Sequence, residues 1–140
     1  MSIVLPGIGF NYAFKNGTDL FAGIHKGFSP PGMPSVNSTT QAKVETAINY
    51  ELGYRYDQNG LHIQAAAFLN DYANILGSDN MSAGGLGTGD MFNAGNATIK
   101  GIELSAAYNL LEKKNANLKL PVQLAYTYTN ASFRETFQNG

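Results

Sequence analysis

A glycine-rich run from Gly84 to Asp90 is the first segment whose residue types could bind a ligand. It reads GGLGTGD, and closely spaced glycines occur in loops that hold phosphate groups and in calcium-binding repeats. A phosphate loop also needs a Lys-Ser or Lys-Thr pair and a strand-to-helix step, and calcium sites of this kind need several copies in register. The sequence supplies neither, so the run is predicted to be a flexible loop.

The two histidines are the next candidates, because imidazole serves both metal binding and proton transfer. Neither His25 nor His62 has a second histidine at ligand spacing, and the chain has no cysteine. Zinc sites need three or four such ligands. Both histidines are therefore predicted to be ordinary wall or interface residues, and no metal site and no cofactor is predicted.

Paired carboxylates are the third possibility, because two acids held at different pKa values can act as acid and base. Glu51, Arg55 and Glu103 fall on polar positions of predicted strands, where pairing among hydrated charges is the simpler explanation. An enzyme on this scaffold would need a histidine beside an acid, drawn from His25, His62, Glu51, Glu103 and Asp71. Since no nucleophile with an adjacent base is present, we predict no catalytic residue and no enzyme.

These residues lie on segments with the alternation of a two-faced β-strand. Between residues 47 and 56 every second side chain is large and apolar, and the residues between are small or polar: Ile48, Tyr50, Leu52, Tyr54 and Tyr56 alternate with Ala47, Asn49, Glu51, Gly53 and Arg55. Successive side chains of a strand point to opposite faces. Six strands are predicted in this way, at 7–15, 20–28, 47–56, from 61 as far as 76, 97–110 and 122–129. Within 20–28, Phe21 and Ile24 are out of phase, so the faces of that strand stay unassigned.

The connections alternate in length. Short turns are predicted at 16–19, 57–60 and 111–121, and long polar loops at 29–43 and 77–95. Transmembrane β-barrels have short periplasmic turns and long extracellular loops, with aromatic girdles at both interfaces. Several tyrosines belong to the apolar faces and would suit such girdles, namely Tyr54, Tyr56, Tyr108, Tyr126 and Tyr128. The pattern therefore predicts an all-β, antiparallel, up-and-down transmembrane barrel.

Composition supports that class. Only 14% of the 140 residues are charged and 44% are hydrophobic, whereas about a quarter of an average soluble domain is charged. A net charge of −1 argues against nucleic acid as a partner. No apolar run is long enough for a membrane helix. Two alternatives remain open at this point, a soluble β-sandwich that binds a ligand and a small complete outer-membrane barrel.

Several phrases, in order along the chain, resemble the barrel of TonB-dependent outer-membrane receptors. A strand that ends in FAGIHKGFSPP is followed by a loop and then by Glu45 and the phrase NYELGYRY. The likeness continues with AFLNDYANIL, NATIKGIEL and LAYTYTNA, and so covers nearly the whole chain. The wording is most similar to the receptors of the ferric-citrate type.

The resemblance implies a barrel of 22 strands, of which this chain supplies about six. Residues 1–140 are accordingly expected to form part of one transmembrane barrel domain, without the plug and the signal peptide of a complete receptor. The implied function is uptake of a ferric chelate, a siderophore or iron citrate, across the bacterial outer membrane. The implied partners are that chelate, the outer-membrane lipid, and TonB acting through the plug region. The ligand and the residues that contact it are not assigned.

Overall fold

The computed structural model describes residues 2–32, 42–111 and 120–134. It contains eight strands and one short 3₁₀ turn, Met81–Ala83. The strands are β1 (Gly7–Ala13), β2 (Thr18–Ser29), β3 (Glu45–Gln58), β4 (Leu61–Ala73), β5 (Leu76–Ser78), β6 (Met91–Asn93), β7 (Ala97–Asn109) and β8 (Pro121–Phe133). The predicted loop positions 33–41 and turn positions 112–119 lie outside the described residues.

Six long strands form one antiparallel sheet in the order β1-β2-β3-β4-β7-β8. Each strand pairs with the next long strand along the chain, which confirms the predicted up-and-down order and the all-β class. The second strand begins two residues earlier than predicted, at Thr18, because it still pairs there with Tyr56. The last strand extends beyond residue 129 to Phe133, where Ala97 is its partner.

The turn between β3 and β4 is a two-residue hairpin loop. Asn59 and Gly60 both have positive φ, at 54° and 74°, and Gln58 pairs with Leu61. Two successive residues at positive φ give the turn whose twist matches that of the flanking strands, and Asn-Gly is its preferred sequence. The short connection predicted at 57–60 is therefore present, and it fixes the register of β3 against β4.

The loop predicted at 77–95 contains regular structure that the sequence pattern does not indicate. The fourth strand stops at Ala73 instead of reaching Leu76, because Asn74 has a φ of 56°. The chain then forms a small separate hairpin in which β5 pairs with β6, with Leu76 opposite Asn93. This stem supports the glycine-rich run.

The sheet is a single layer over the part of the chain that the structure describes. Its buried apolar residues are three alanines, Ala47, Ala66 and Ala97. A β-sandwich buries one face of each sheet against the other, and no such second layer is present in the described ranges. Among these residues there is also no helix that is both long and apolar enough to cross a membrane.

Candidate functional site

The register assigns every strand residue to one of two faces. Tyr54 of β3 lies opposite Leu20 of β2 and Ala65 of β4, and Gly53 lies opposite Phe21 and Ala66. We call the face that carries Tyr54 the apolar face and the face that carries Gly53 the polar face. The unassigned strand β2 is thereby resolved, because Ile24 is on the apolar face and Phe21 on the polar face.

The polar face carries most of the acids of the sheet. Glu51 and Arg55 lie on β3 on either side of Gly53. Glu103 of β7 lies opposite Ala66 of β4, which itself lies opposite Gly53. The three residues predicted to share a face therefore do so. Within the described ranges neither Glu51 nor Glu103 forms an ion pair. Arg55 instead places its guanidinium 4.3 Å from the centre of the Phe21 ring, a cation–π contact.

Aromatic rings on the polar face cover glycines of the neighbouring strand. The Phe21 ring occupies the space that a side chain at Gly53 would fill, and the Phe68 ring does the same at Gly101. Both glycines are buried although they lie in a single layer. A glycine in a strand interior weakens it unless a neighbour packs there. The out-of-phase Phe21 is thus explained by its partner Gly53.

The histidines do not assemble the constellation that an enzyme would need. His62 Nδ1 lies 2.9 Å from Asp57 Oδ2 in the neighbouring strand. The acid beside His62 is therefore not one of the acids that the sequence offered, which were Glu51, Glu103 and Asp71. His25 lies opposite Asn49, whose side-chain amide donates to the His25 carbonyl at 3.5 Å. Asp71 is on the apolar face, paired with Arg134. No group of three potential metal ligands occurs among the described residues.

A depression of about 440 Å³ lies at the turn end of the sheet. On the polar face its lining includes Asp19, Arg55, Asp57, His62 and Gln64. It is open to the surroundings, and its lining includes charged side chains of both signs. Such a surface suits water or a neighbouring polar domain better than a buried substrate.

The apolar face carries a continuous band of exposed large side chains. Along five strands the band is nine residues long between its outermost apolar members: 20–28, 48–56, 61–69, 102–110 and 120–128. The last two segments include Leu110 and Leu120, which directly adjoin β7 and β8. Most of these side chains are exposed in the sheet, from 36% for Tyr54 to 71% for Leu124. A tilted strand crosses the hydrocarbon of a bilayer in about 9–11 residues. The band therefore has the length of a membrane crossing on each of these five strands.

The edge of the band is inclined to the strands. On β3 it ends at Ile48, and the register leads from Ile48 through Asp71 and Thr98 to Ser132. On β8 the band ends four residues earlier, at Tyr128. Four residues are ~13 Å along a strand, and the three spacings from β3 to β8 are ~14 Å across the sheet. The edge of the band is therefore inclined by ~43° from the perpendicular to the strands. Strands of membrane barrels tilt by about 35–45°, so a level membrane boundary would follow this inclined edge.

The loop between β4 and β7 is organised around one carboxylate. Asp79 accepts hydrogen bonds from the Leu86 amide at 2.9 Å and from the amide and hydroxyl of Thr88 at 3.0 and 2.8 Å. The backbone and side-chain hydrogen bonds from Thr88 hold the pKa of Asp79 below its usual value, because they stabilise the ionised form. Gly84, Gly87 and Gly89 have positive φ, and these turns bring the donors back to Asp79.

The base of this loop is joined to the loop before β3. The Asn93 amide donates to the carbonyls of Lys43 and Asn74 at 3.0 and 2.9 Å and accepts from the Lys43 amide at 2.7 Å. The carboxylate of Glu45 accepts from the Leu76 amide at 2.8 Å. Both loops emerge from the same end of the sheet, so the contacts make one joint surface. Sequence spacing gives no signal for this joint, because Lys43 and Asn93 are distant along the chain.

A family model described as TonB dependent receptor-like, beta-barrel, matches residues 2–140. The chain belongs to this family. Its members form a bacterial outer-membrane group of receptors, which confirms the resemblance and the location that the sequence indicated. The narrower likeness to ferric-citrate receptors stays a prediction.

Known members of the TonB-dependent receptors support the same fold. The chain is 29% identical over 109 residues to the pesticin receptor of Yersinia enterocolitica, which covers 75% of the chain and 16% of that receptor. It superposes on the siderophore receptor PirA from Pseudomonas aeruginosa with a TM-score of 0.67, at 21% identity, over 89% of the chain and 25% of PirA. The copper transporter OprC gives a TM-score of 0.62 at 23% identity, over 89% of the chain and 20% of OprC. The chain thus spans a small part of the length of each.

Proposed function

We propose that this chain supplies wall strands and two extracellular loops to an outer-membrane receptor that takes up a ferric chelate. The observation that carries the proposal is the nine-residue apolar band, inclined like the strands of a membrane barrel, in a chain of the TonB-dependent receptor family. In this arrangement the apolar face contacts lipid, and the polar face, with Glu51, Arg55 and Glu103, lines the hydrated interior.

Residues 1–140 would then be part of one barrel domain, with 22 strands when complete. Strands β1 and β8 form the two edges of the described sheet. An unpaired strand edge in hydrocarbon leaves backbone groups without partners, at several kcal/mol each. Each edge therefore pairs with a further strand of the parent barrel.

The joined loops are the proposed ligand side. They lie at the end of the sheet where the connections are long, which in barrels of this kind is extracellular. The contacts of Asn93 to Lys43 keep the two loops together, and the contact of Asn93 to Asn74 closes the base of its own loop. TonB would supply energy from the inner membrane through a plug region, and the loops would capture the chelate before it enters.

The test is uptake by the full-length receptor with an altered loop. Replacing residues 79–90 by a short Gly-Ser turn removes the tip but leaves β5, β6 and Asn93 in place. We expect uptake of iron from a panel of ferric siderophores and ferric citrate to fall strongly for one chelate, while heat-modifiable mobility shows a normally assembled barrel. An insertion of two serines between Asn59 and Gly60 is the control at the opposite end.

Three outcomes would count against the proposal. Unchanged uptake of every chelate by the loop variant would remove this loop from the ligand side. An equal loss of uptake in the Asn59–Gly60 insertion would show a general effect on assembly. Absence of chelate uptake by the unaltered receptor, measured in cells that lack other iron receptors, would reject the ferric-chelate class.

A further inference from the structure

Lys26 has an unusual place on the apolar face. It lies on β2 within the band segment 20–28, between Ile24 and Phe28 on the same face, and opposite Ile48 of β3. A basic residue on the lipid side of a barrel strand is destabilising near the middle of the bilayer and nearly neutral at its boundary. Only Phe28 follows Lys26 on this face before the band segment ends. The Lys26 amine can therefore reach the boundary of the hydrocarbon layer by extending along the surface of the sheet.

No acid of the described residues pairs with Lys26. The acid of the apolar face nearest to it in register is Asp71, opposite Ile48, and the Asp71 carboxylate is taken by Arg134. Arg134 also donates from Nε to the Thr98 hydroxyl at 3.0 Å. Lys100 of β7 is a further basic residue of the apolar face near the loop side of the sheet, and it lies opposite Leu69 and not opposite an acid. The loop-side end of the apolar face is therefore basic, and the Lys26 charge is not compensated within the described sheet.

An apolar groove adjoins Lys26. Its volume is about 320 Å³, and on this face it is lined by Pro6, Ile8, Ile24 and Ile48 together with Lys26. Hydrocarbon gains free energy by leaving water for such walls, and an ammonium group favours a phosphate. The combination of an apolar trough with one uncompensated cation fits an amphiphile that has an acyl chain and an anionic head.

We propose that this groove binds a phosphorylated lipid of the outer leaflet, with an acyl chain along Ile8, Ile24 and Ile48 and a phosphate on the Lys26 amine. The inference rests on the proposed function only in placing the apolar face in the membrane and the long loops outside. It adds a fixed lipid site on β2, the strand that leads into the first ligand-side loop. The lipid compensates the Lys26 charge, and the groove selects a lipid over a free ion.

The experiment uses the full-length receptor in detergent, titrated with a phosphorylated lipid and with an uncharged lipid of the same acyl chains, and read by native mass spectrometry. Lys26→Gln should weaken binding of the phosphorylated lipid by about fivefold, as expected for one basic residue near an anionic lipid surface. Lys26→Arg should retain binding. Lys15→Gln, in the turn at the opposite end of the sheet, is the matched control and should leave binding unchanged.

A second variant tests the groove itself. Ile24→Ser removes an apolar wall of the groove but no charge. It should weaken binding of the phosphorylated lipid while the Lys26 amine stays in place. Equal binding of the two lipids, or an equal effect of Lys26→Gln and Lys15→Gln, would overturn the proposal. Inorganic phosphate that competes as well as the lipid would show an ion site and overturn it too. Chelate uptake is measured on the same variants, and normal uptake with lost lipid binding separates this site from the function proposed above.

Discussion

At the scale of single residues, glycine and aromatic side chains work as pairs on the polar face. Gly53 and Gly101 leave space that the Phe21 and Phe68 rings fill from the adjacent strands. Alternation along one strand could not assign the faces of β2, because Phe21 is large yet lies on the polar face. The position of Phe21 is decided by its partner Gly53 on the neighbouring strand. Cross-strand partners are set by the register between two strands, and the pattern of a single strand does not contain that register.

The two glycines should differ in their tolerance of alanine. A methyl group at Gly101 would meet the Tyr128 carbonyl oxygen of the paired strand as well as the Phe68 ring, whereas at Gly53 its nearest neighbours all belong to the Phe21 ring. A ring can move more easily than a backbone carbonyl held in a ladder. We expect Gly101→Ala to lower the free energy of unfolding by about 1–3 kcal/mol, as overpacking does, and Gly53→Ala to lower it less. Urea unfolding of the full-length barrel measures both, and a larger loss for Gly53→Ala would contradict the assignment.

The Asp79 carboxylate accepts three hydrogen bonds within the 77–95 loop, and we expect the order of the loop to depend on it. Because its pKa is lowered in the folded loop, the ionised form contributes stability above the ordinary pKa of an aspartate, and that contribution is lost as pH falls through the lowered value. The loop should therefore be insensitive to pH near neutrality and loosen only in acid, below about pH 4. Asp79→Asn should loosen it at neutral pH.

Hydrogen exchange at the Leu86 and Thr88 amides checks this prediction, because both donate to Asp79. Exchange should be faster in Asp79→Asn than in the unaltered receptor. Asp90→Asn removes a negative charge from the same loop without removing these bonds, and should leave exchange at both amides slow. Slow exchange in both variants would show that the turns at Gly84, Gly87 and Gly89 hold the loop without the carboxylate.

At the scale of the strand, depth along the nine-residue band should decide how harmful a charge is. Leu52 is at the centre of 48–56, Tyr128 is at the end of 120–128, and Asn49 is on the polar face. Arginine costs about 2–4 kcal/mol at the middle of the bilayer and about 0–1 near its boundary. We expect assembly to fall in the order Asn49→Arg, Tyr128→Arg, Leu52→Arg, with the last nearly abolished.

Heat-modifiable mobility of the full-length receptor in outer-membrane fractions gives the assembled share of each variant. Tyr128→Phe and Leu52→Ile are the matched controls, since the first removes only a hydroxyl group, the second only moves a branch point, and neither adds charge. The ranking depends on the inclined band, so equal assembly of Leu52→Arg and Tyr128→Arg would contradict the depth assignment. If only Asn49→Arg assembled poorly, the assignment of the apolar and polar faces would be the wrong way round.

At the scale of the whole molecule, the sequence predicted the meander, and the bounds of four of the six long strands to within two residues, because alternation and turn residues are local signals. Asn59-Gly60 marks one hairpin, and the apolar positions of β3, β7 and β8 need no partner to be recognised. The link between Asn93 and Lys43 and the β5–β6 stem were not predicted, because each joins residues whose proximity depends on the completed sheet. The inclination of the band likewise emerges only from the register of several strands together.

The orientation of the molecule in the membrane is the last consequence of this arrangement. The turn at Asn59 and Gly60 is tight, whereas the Asp79 loop at the opposite end is long and joined to its neighbour. Short connections of such barrels face the periplasm and long ones the outside. A small epitope inserted after Leu86 should therefore be labelled by antibody on intact cells, and the same epitope inserted after Asn59 should be labelled only after the outer membrane is permeabilised. Labelling of the Asn59 epitope on intact cells would show that the barrel has the opposite orientation in the membrane. Lys26 and its groove would then lie in the inner leaflet.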